Sequence, residues 1–420
     1  MGVISISELE PDMVIADDLR DRSGRLLMSK GTVLTPKYIN ICKMWGVIEA
    51  DIEGLSGEDT KSNTKKQFDA AEIAAAEEVV RNRFLHNDMD HPVIRELFRL
   101  CTLREVEGKS GDLENIELKP QIDNPDIRRV KPSDINPVNY IKEDTNLSTL
   151  PDIFRLVTEA ISKPNSSAHD IANVISKDTN LSARLLKIVN SAFYGYPSRI
   201  DTLSRAVNVV GTKQLSTLAI GVNMIHMFKN IPSRIINMKL FWKHSILCGI
   251  NARIIASYKS IQNTERMFVA GLLHDIGRLL LYNYLPDQSL QMITTARGTH
   301  NLLCNVECDS VAYNHMEIGG ELLKKWKLPV SLEDTVRHHH NPQRAQNRLE
   351  ASIVHLADII TNAMGIGSSG EILIPSLNHE SWTQVGLSAN VISLAMEQAD
   401  QQLEATFESM YVDDNHARKS

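Results

Sequence analysis

The sequence predicts a mainly α protein: an all-helical bundle preceded by a small mixed α/β domain. Three observations predict it. From about residue 140 onward, apolar residues recur at helical spacing with short breaks, and no convincing run of alternating strands interrupts them. Residues 1–52 instead carry two short aliphatic runs, a turn and a capped helix start. Two polar stretches, 53–66 with two glycines and 106–136 with three prolines, read as linkers.

In the N-terminal domain, Met13-Val14-Ile15-Ala16 and Arg25-Leu26-Leu27-Met28 are the strand candidates, with turn chemistry at Arg22-Ser23-Gly24 between them. Thr35 caps a helix that has Pro36 at its first position, and Gly46 ends it. A helix over 66–86 puts Phe68, Ile73, Val80 and Phe84 near one stripe. A shorter one runs from Pro92 to Leu103, and the span 66–105 reads as linker helices. The bundle, 136–412, begins with helices from Leu147 to Ser162, His169 to Ser176, Leu181 to Asn190 and Thr202 to Val210. Longer ones follow at about 239–259, 264–284, 287–298, 314–326, 330–340 and 349–364, and a last one begins near Ser388 and continues past Phe407. The most apolar long stretch, Val207 to Phe228, is broken by Lys213 and Gln214, so it reads as buried helices and not as a membrane span.

A chain of 420 residues suggests two or three domains, and 42% apolar residues suffice for a core. A net charge of −7 argues against a broad nucleic-acid footprint. The five cysteines, Cys42, Cys101, Cys248, Cys304 and Cys308, are odd in number and form no CxxC pair. That argues against a disulfide framework and against a thiolate zinc site, and fits the reducing cytoplasm. No basic segment followed by an apolar one opens the chain, so no secretory signal is expected.

The chemistry gathers in His244, His274, Asp275, His315, the pair His339–His340, and Asp358. Imidazole nitrogens with carboxylate oxygens are the donor set that divalent iron, manganese and zinc accept. Each residue also has a plainer role open to it. His244 has Leu240, Phe241, Leu247 and Cys248 three and four positions away, which points it inward, as a core histidine would also point. His274 has Ala270, Gly271 and Gly277 at those offsets, small enough to admit another backbone or an ion. Asp275 needs a buried partner, and a salt bridge to Arg278 would serve. On one helix, His274 and Asp275 would differ by about 100° in direction and reach an ion from two sides. His315 faces Ile318, Gly319 and Leu322 or caps its helix; the histidines at 338–340 face a helix C-terminal dipole, the role preferred for His338. Asp358 shares a polar stripe with His355, Thr361 and Asn362 on an apolar helix, where His355 suits the orienting of a metal ligand. Most of the set faces inward on separate helices, and bundle cores are a common place for such metal sites.

These residues resemble a family. Leu150-Pro151, Ile171-Ala172, Asp178, Leu181, Leu185-Leu186, the run from Asn190 to Gly195, Ala206 and Val210-Gly211 resemble the first half of the HDOD domain. His274-Asp275-Ile276-Gly277, Glu307 before His315, Gly319, Leu322-Leu323, Trp326, Leu328-Pro329, His339-His340-x-Pro342 and Ala357-Asp358 resemble its second half, so the likeness spans roughly 136–365. The resemblance implies a bacterial, cytoplasmic, all-helical signalling module of the HD-domain superfamily, many members of which have lost the catalytic ligands. The superfamily ligands carry over onto His244, His274, Asp275 and Asp358. The HD-GYP branch, which hydrolyses cyclic di-GMP, adds His315, His339 and His340. The chain departs from that branch after His339-His340, where it reads Asn341-Pro342-Gln343-Arg344-Ala345-Gln346, and at Arg278, where the branch has lysine. Arginine does not replace lysine as a compact phosphate contact.

Two functions follow, with a blander apo core ranked below both. In the one that the resemblance favours, the chain is a non-catalytic regulator that binds a signalling protein partner or a nucleotide ligand, its metal structural or gating. In the other it is a phosphohydrolase acting on a nucleotide or cyclic nucleotide with one or two ions of iron, manganese or zinc. Asp275 and Arg278 would then be the catalytic residues, Arg278 meeting phosphate charge. The helix at 66–86 and the C-terminal helix suit either a homodimer contact or packing on the same chain.

Overall fold

The computed structural model describes residues 2–5, 9–20, 26–36, 38–39, 42, 49–54, 69–110, 153, 156–157, 159–160, and 167–411 less 192, 197, 226 and 229–230. The turn at Arg22-Ser23-Gly24, Gly46, most of both linkers, Leu150-Pro151 and much of the expected helix from Leu147 to Ser162 lie outside the described residues.

The N-terminal segment is mixed, as expected, but its strands are partly different ones. β1 (Gly2–Ser5) pairs antiparallel with β4 (Glu49–Ile52), Gly2 opposite Ile52. β3 (Leu26–Met28) pairs with β2 (Leu19–Arg20), not with the expected strand at 13–16. Val14 and Ile15 make only isolated bridges, to Val33 and Ile52. Each strand has two to four residues, too few for a period of two to show in the sequence. Ile15, Leu34, Cys42 and Ile52 are among the residues that close a small core there. Thr35 caps the helix starting at Pro36, its hydroxyl accepting from Tyr38 N–H at 3.3 Å.

α1 (Ala70–Arg81) starts at Asp69, which forms a capping box with Glu72. α2 (Pro92–Val106) starts with proline at its first turn. The expectation that these are linker helices is corrected. Val80, Phe84, Val93 and Leu97 join the main core. Arg83 donates to the Asn362 carbonyl, Cys101 to that of Ala363 at 3.0 Å, and Arg104 pairs with Asp400 at 2.5 Å. α2 and the turn that follows α1 therefore pack on the C-terminal part of the same chain, and α1 packs on α2.

The first half of the bundle holds α3 (Ala168–Ile175), α4 (Thr179–Val189), α5 (Leu203–Val210) and α6 (Thr212–Met224). Asn190 closes α4 and clamps the following loop: its amide donates to the Ile200 carbonyl and accepts from Ile200 N–H, both at 2.7 Å. The Arg253 guanidinium lies 4.0 Å over the Phe193 ring and donates to the Phe193 carbonyl at 2.7 Å. The run from Asn190 to Gly195 is thus a staple between the two halves. Gly211, at φ +101°, divides the apolar stretch into α5 and α6. Among the described residues no helix is long and apolar enough to cross a membrane.

α7 (Met238–Tyr258) runs through the centre and is buried along almost its whole length from Phe241 to Ala256. Around it stand α8 (Thr264–Leu273), α9 (Ile276–Tyr284), α10 (Pro286–Gly298), α11 (Leu303–Ser310), α12 (His315–Lys325), α13 (Val330–His338), α14 (Arg348–Met364), α15 (His379–Val385) and α16 (Asn390–Met410). The expected helix over 264–284 is therefore two: His274 ends α8 and Asp275 opens α9, at φ −98° and ψ 11°. α11 and α15 were not expected; both are short and interleave polar with apolar residues.

Candidate metal centre

Five segments bring the donors together. α7 supplies His244; the α8–α9 junction supplies His274 and Asp275; the start of α12 supplies His315; the end of α13 supplies His339 and His340; and α14 supplies Asp358. All seven expected ligands converge, in groups whose donor atoms lie within 4.8 Å of one another: His244, His274 and Asp275 in one, His315, His339 and His340 in another. A third group joins His274 and Asp358 to Cys248, which the sequence suggests only as an apolar neighbour of His244. The available signal was its place one turn after His244, on the same helix face.

Glycines set the approach of the helices. A Cβ on Gly271 would lie 2.7 Å from the Cys248 carbonyl oxygen, and one on Gly277 only 1.9 Å from that of His315. The small residues around His274 thus admit neighbouring backbone, which draws α7 and α12 against the junction.

Three of the five rings are fixed by an acceptor. His274 Nδ1 donates to the Gly271 carbonyl at 2.7 Å, His339 Nδ1 to the Val336 carbonyl at 2.8 Å, and His315 Nδ1 to the Glu307 carboxylate. Carbonyl and carboxylate oxygens only accept, so in all three rings Nε2 is the nitrogen left facing the centre. His315 Nε2 and His339 Nε2 face each other at 3.4 Å. Two lone pairs at that distance repel unless something positive lies between them. His244 Nε2, His274 Nε2, His340 Nε2 and Asp275 Oδ1 are buried without a hydrogen bond. Across the centre, His274 Nε2 stands 3.1 Å from Asp275 Oδ2 and 3.4 Å from Asp358 Oδ1, and His244 Nε2 stands 3.5 Å from Asp358 Oδ1. Donors about 2.1 Å from one ion are separated by roughly 3.0–3.4 Å, so these spacings suit a shared divalent cation.

The surrounding shell positions the donors. Arg278 Nη1 holds Asp275 Oδ2 at 2.9 Å and Ser369 Oγ at 2.7 Å, while its Nε holds Glu307 at 3.0 Å. The salt bridge that offered Asp275 a plainer role therefore exists beside the ligand role. It also places Arg278, named above as a phosphate contact, in a buried network beneath the centre. Asn362 donates to Asp358 Oδ1 at 2.8 Å. His355 does not touch Asp358's oxygens in this way; its Nδ1 donates to the His339 carbonyl at 2.9 Å and its Nε2 accepts from Asn378 N–H at 3.0 Å, bracing His339. His338 turns away to Asp334.

Burial would raise the carboxyls of Asp275 and Asp358, but Arg278 and His274 beside the first, and His244 and His274 beside the second, hold both well below the usual range. Burial keeps His339 and His340 well below the ordinary imidazole value, hence neutral, the form that binds metal. Burial also pulls His274 down, but Asp275, Cys248 and Asp358 outweigh it and hold its imidazole well above the ordinary value. Metal-free protein at neutral pH therefore carries a proton on His274 that an ion must displace. Cobalt or zinc uptake at about pH 7 is expected to release at least about one proton per chain, and affinity to fall as pH drops. Calorimetry in two buffers of different ionisation enthalpy reads this; uptake without proton release would place the ion away from His274.

The HDOD domain family model matches residues 147–342, which hold every donor but Asp358. An uncharacterized protein of Treponema pallidum (strain Nichols) is 28% identical over 215 residues, covering 50% of this chain and 41% of that protein. The chain thus spans about two fifths of the length of that curated relative. An HDOD domain protein of unknown function from Geobacter sulfurreducens superposes with a TM-score of 0.56 at 21% identity, over 66% of this chain and 97% of that one. A Shewanella amazonensis SB2B protein, provisionally named a phosphohydrolase, does so at 0.52 and 22%, over 66% and 99%. A Marinobacter aquaeolei VT8 protein, provisionally named a signal transduction protein, does so at 0.50 and 20%, over 62% and 59%. These structures share the mainly helical fold, and the family match shows that this chain carries an HDOD domain in residues 147–342.

Proposed function

We propose that this centre takes up to two divalent ions and hydrolyses a phosphate ester, with nucleotides and cyclic nucleotides as the substrate class. The position of Asp275 carries the reading. Its Oδ2 faces His274 Nε2 at 3.1 Å and His244 Nε2 at 3.8 Å, while its Oδ1 faces His315 Nε2 at 3.3 Å. One carboxylate stands between two donor groups, as a bridging ligand does. His244, His274, Asp275 and Asp358 would hold one ion; His315, His339, His340 and Asp275 would hold the other. Bound there, such ions lower the pKa of a water and polarise a phosphoryl oxygen. The chain's own residues do the rest. Arg278 orients Asp275, Glu307 fixes His315, Asn362 aims Asp358, and the buried walls exclude bulk water. His340 is the one ligand residue that is not fully buried, and it marks the side from which a phosphate would arrive.

A second reading, a regulatory module that binds a signalling partner, is favoured by the burial of the other six ligand residues and by the internal pairing of Arg278. The names of the Shewanella and Marinobacter proteins support one reading each. A hydrolysis screen over nucleoside phosphates and cyclic mono- and dinucleotides, with the metal-loaded full chain and its Asp275→Asn variant, separates them. Hydrolysis is expected in the wild type and a loss of about 100-fold or more in the variant. Metal-loaded protein that turns over none of these substrates would leave the regulatory reading.

A further inference from the structure

The spacing of the cysteines argues against a thiolate site, but folding moves Cys248 into the centre. It stands one turn after His244 on α7, and its Sγ, a ring nitrogen of His274 and an oxygen of Asp358 lie within 4.8 Å of one another. All three residues are buried. A second observation points to the same spot: His274 Nδ1 is engaged by the Gly271 carbonyl, and its Nε2, fully buried, has no hydrogen bond. Gly271 keeps the arrangement tight, since α8 can approach the Cys248 backbone only where no Cβ intervenes. The buried thiol of Cys101, by contrast, donates to the Ala363 carbonyl at 3.0 Å.

We propose that Cys248 is a thiolate ligand of the ion held by His244, His274 and Asp358. The inference rests on the metal reading above and deepens it. It makes the two halves of the centre chemically different: one mixes nitrogen, oxygen and sulfur, while the His315, His339 and His340 half offers nitrogen and the shared carboxylate. Soft sulfur biases the first half toward zinc or iron and away from manganese and magnesium. As the sulfur–metal bond forms, the Sγ–H bond breaks heterolytically and its proton leaves to solvent, with no change of oxidation state.

Cobalt(II) alone is the probe. The full chain, stripped with chelator and titrated with cobalt, is expected to show visible ligand-field bands together with a near-ultraviolet sulfur-to-cobalt charge-transfer band. Cys248→Ser is expected to keep the ligand-field bands, lose the charge-transfer band, and hold its first cobalt about tenfold or more weakly, since even outer-shell changes alter affinity about 10–100-fold. Wild-type protein that binds cobalt without a sulfur band overturns the thiolate and leaves the metal reading standing. A sulfur band that persists in Cys248→Ser overturns it too, and assigns the band to another cysteine. Wild-type protein that binds no cobalt overturns both readings.

Discussion

The full chain, purified without chelator or affinity tag, is expected to carry about one to two equivalents of iron, manganese or zinc, and His274→Ala close to none. His274 shares in two of the three donor groups, and its ring centroid lies 5.4 Å from that of His244 and 5.1 Å from that of His339. Removing it deletes a nitrogen that faces both Asp275 and Asp358, at 3.1 and 3.4 Å, closer to each than His244 Nε2 at 3.8 and 3.5 Å. The loss should also appear in stability. A ligand present at about 100 times its dissociation constant adds roughly 2.7 kcal/mol to the folded state, so chelator should lower the melting temperature of the wild type and leave the variant unmoved. His338→Ala is the matched control, because His338 binds Asp334 and stands outside the centre; its metal content should equal the wild type's. Metal retained at full level in His274→Ala would place the ion elsewhere. No metal in either protein, even after reconstitution, would remove the hydrolase reading and leave a regulatory HDOD module.

The inward faces of the ligand helices were legible because each histidine or aspartate stands among apolar or small residues three and four positions away. What that pattern encodes is direction from one axis. It does not encode how axes meet, and the unread features are of that kind. His274 and Asp275 were expected on one helix, about 100° apart. The chain breaks between them, though neither proline nor a turn motif marks the place, because α9 is drawn against α12 at Gly277. Cys248 carries no such signal, since thiolate sites are legible from paired cysteines, whereas here the partners come from the end of α8 and from α14. The polar stripe marks His355 as suited to orient a metal ligand but not which one: it braces His339, on another segment, while Asn362 serves Asp358. α1 and α2 read as linkers for a related reason. Their polar faces show in the sequence, while the carbonyls of Asn362 and Ala363 that receive Arg83 and Cys101 lie some 260–280 positions away.

Gly277→Ala is expected to cost about 3 kcal/mol or more, the upper range for inserting a methyl group where none fits, and to lower the melting temperature by roughly 6–12 °C. The added Cβ would meet the His315 carbonyl oxygen at 1.9 Å and Gly319 N at 2.8 Å. Both obstacles are backbone, so no rotamer change relieves the overlap, and α12 has to retreat from α9. His315 rides on the first turn of α12, so the retreat also carries its Nε2 away from Asp275 Oδ1, now 3.3 Å distant. Metal content should fall chiefly in the half built on His315, His339 and His340, leaving about one equivalent. Gly298→Ala separates this from a general glycine effect: a Cβ there meets nothing within 4 Å, and the change should be neutral or stabilising by up to about 1 kcal/mol. Thermal unfolding and elemental analysis of the two variants side by side give the reading. If Gly277→Ala melts and binds metal like the wild type, the contact between α9 and α12 is not what brings His315 to Asp275, and the bridging position of that carboxylate loses its support.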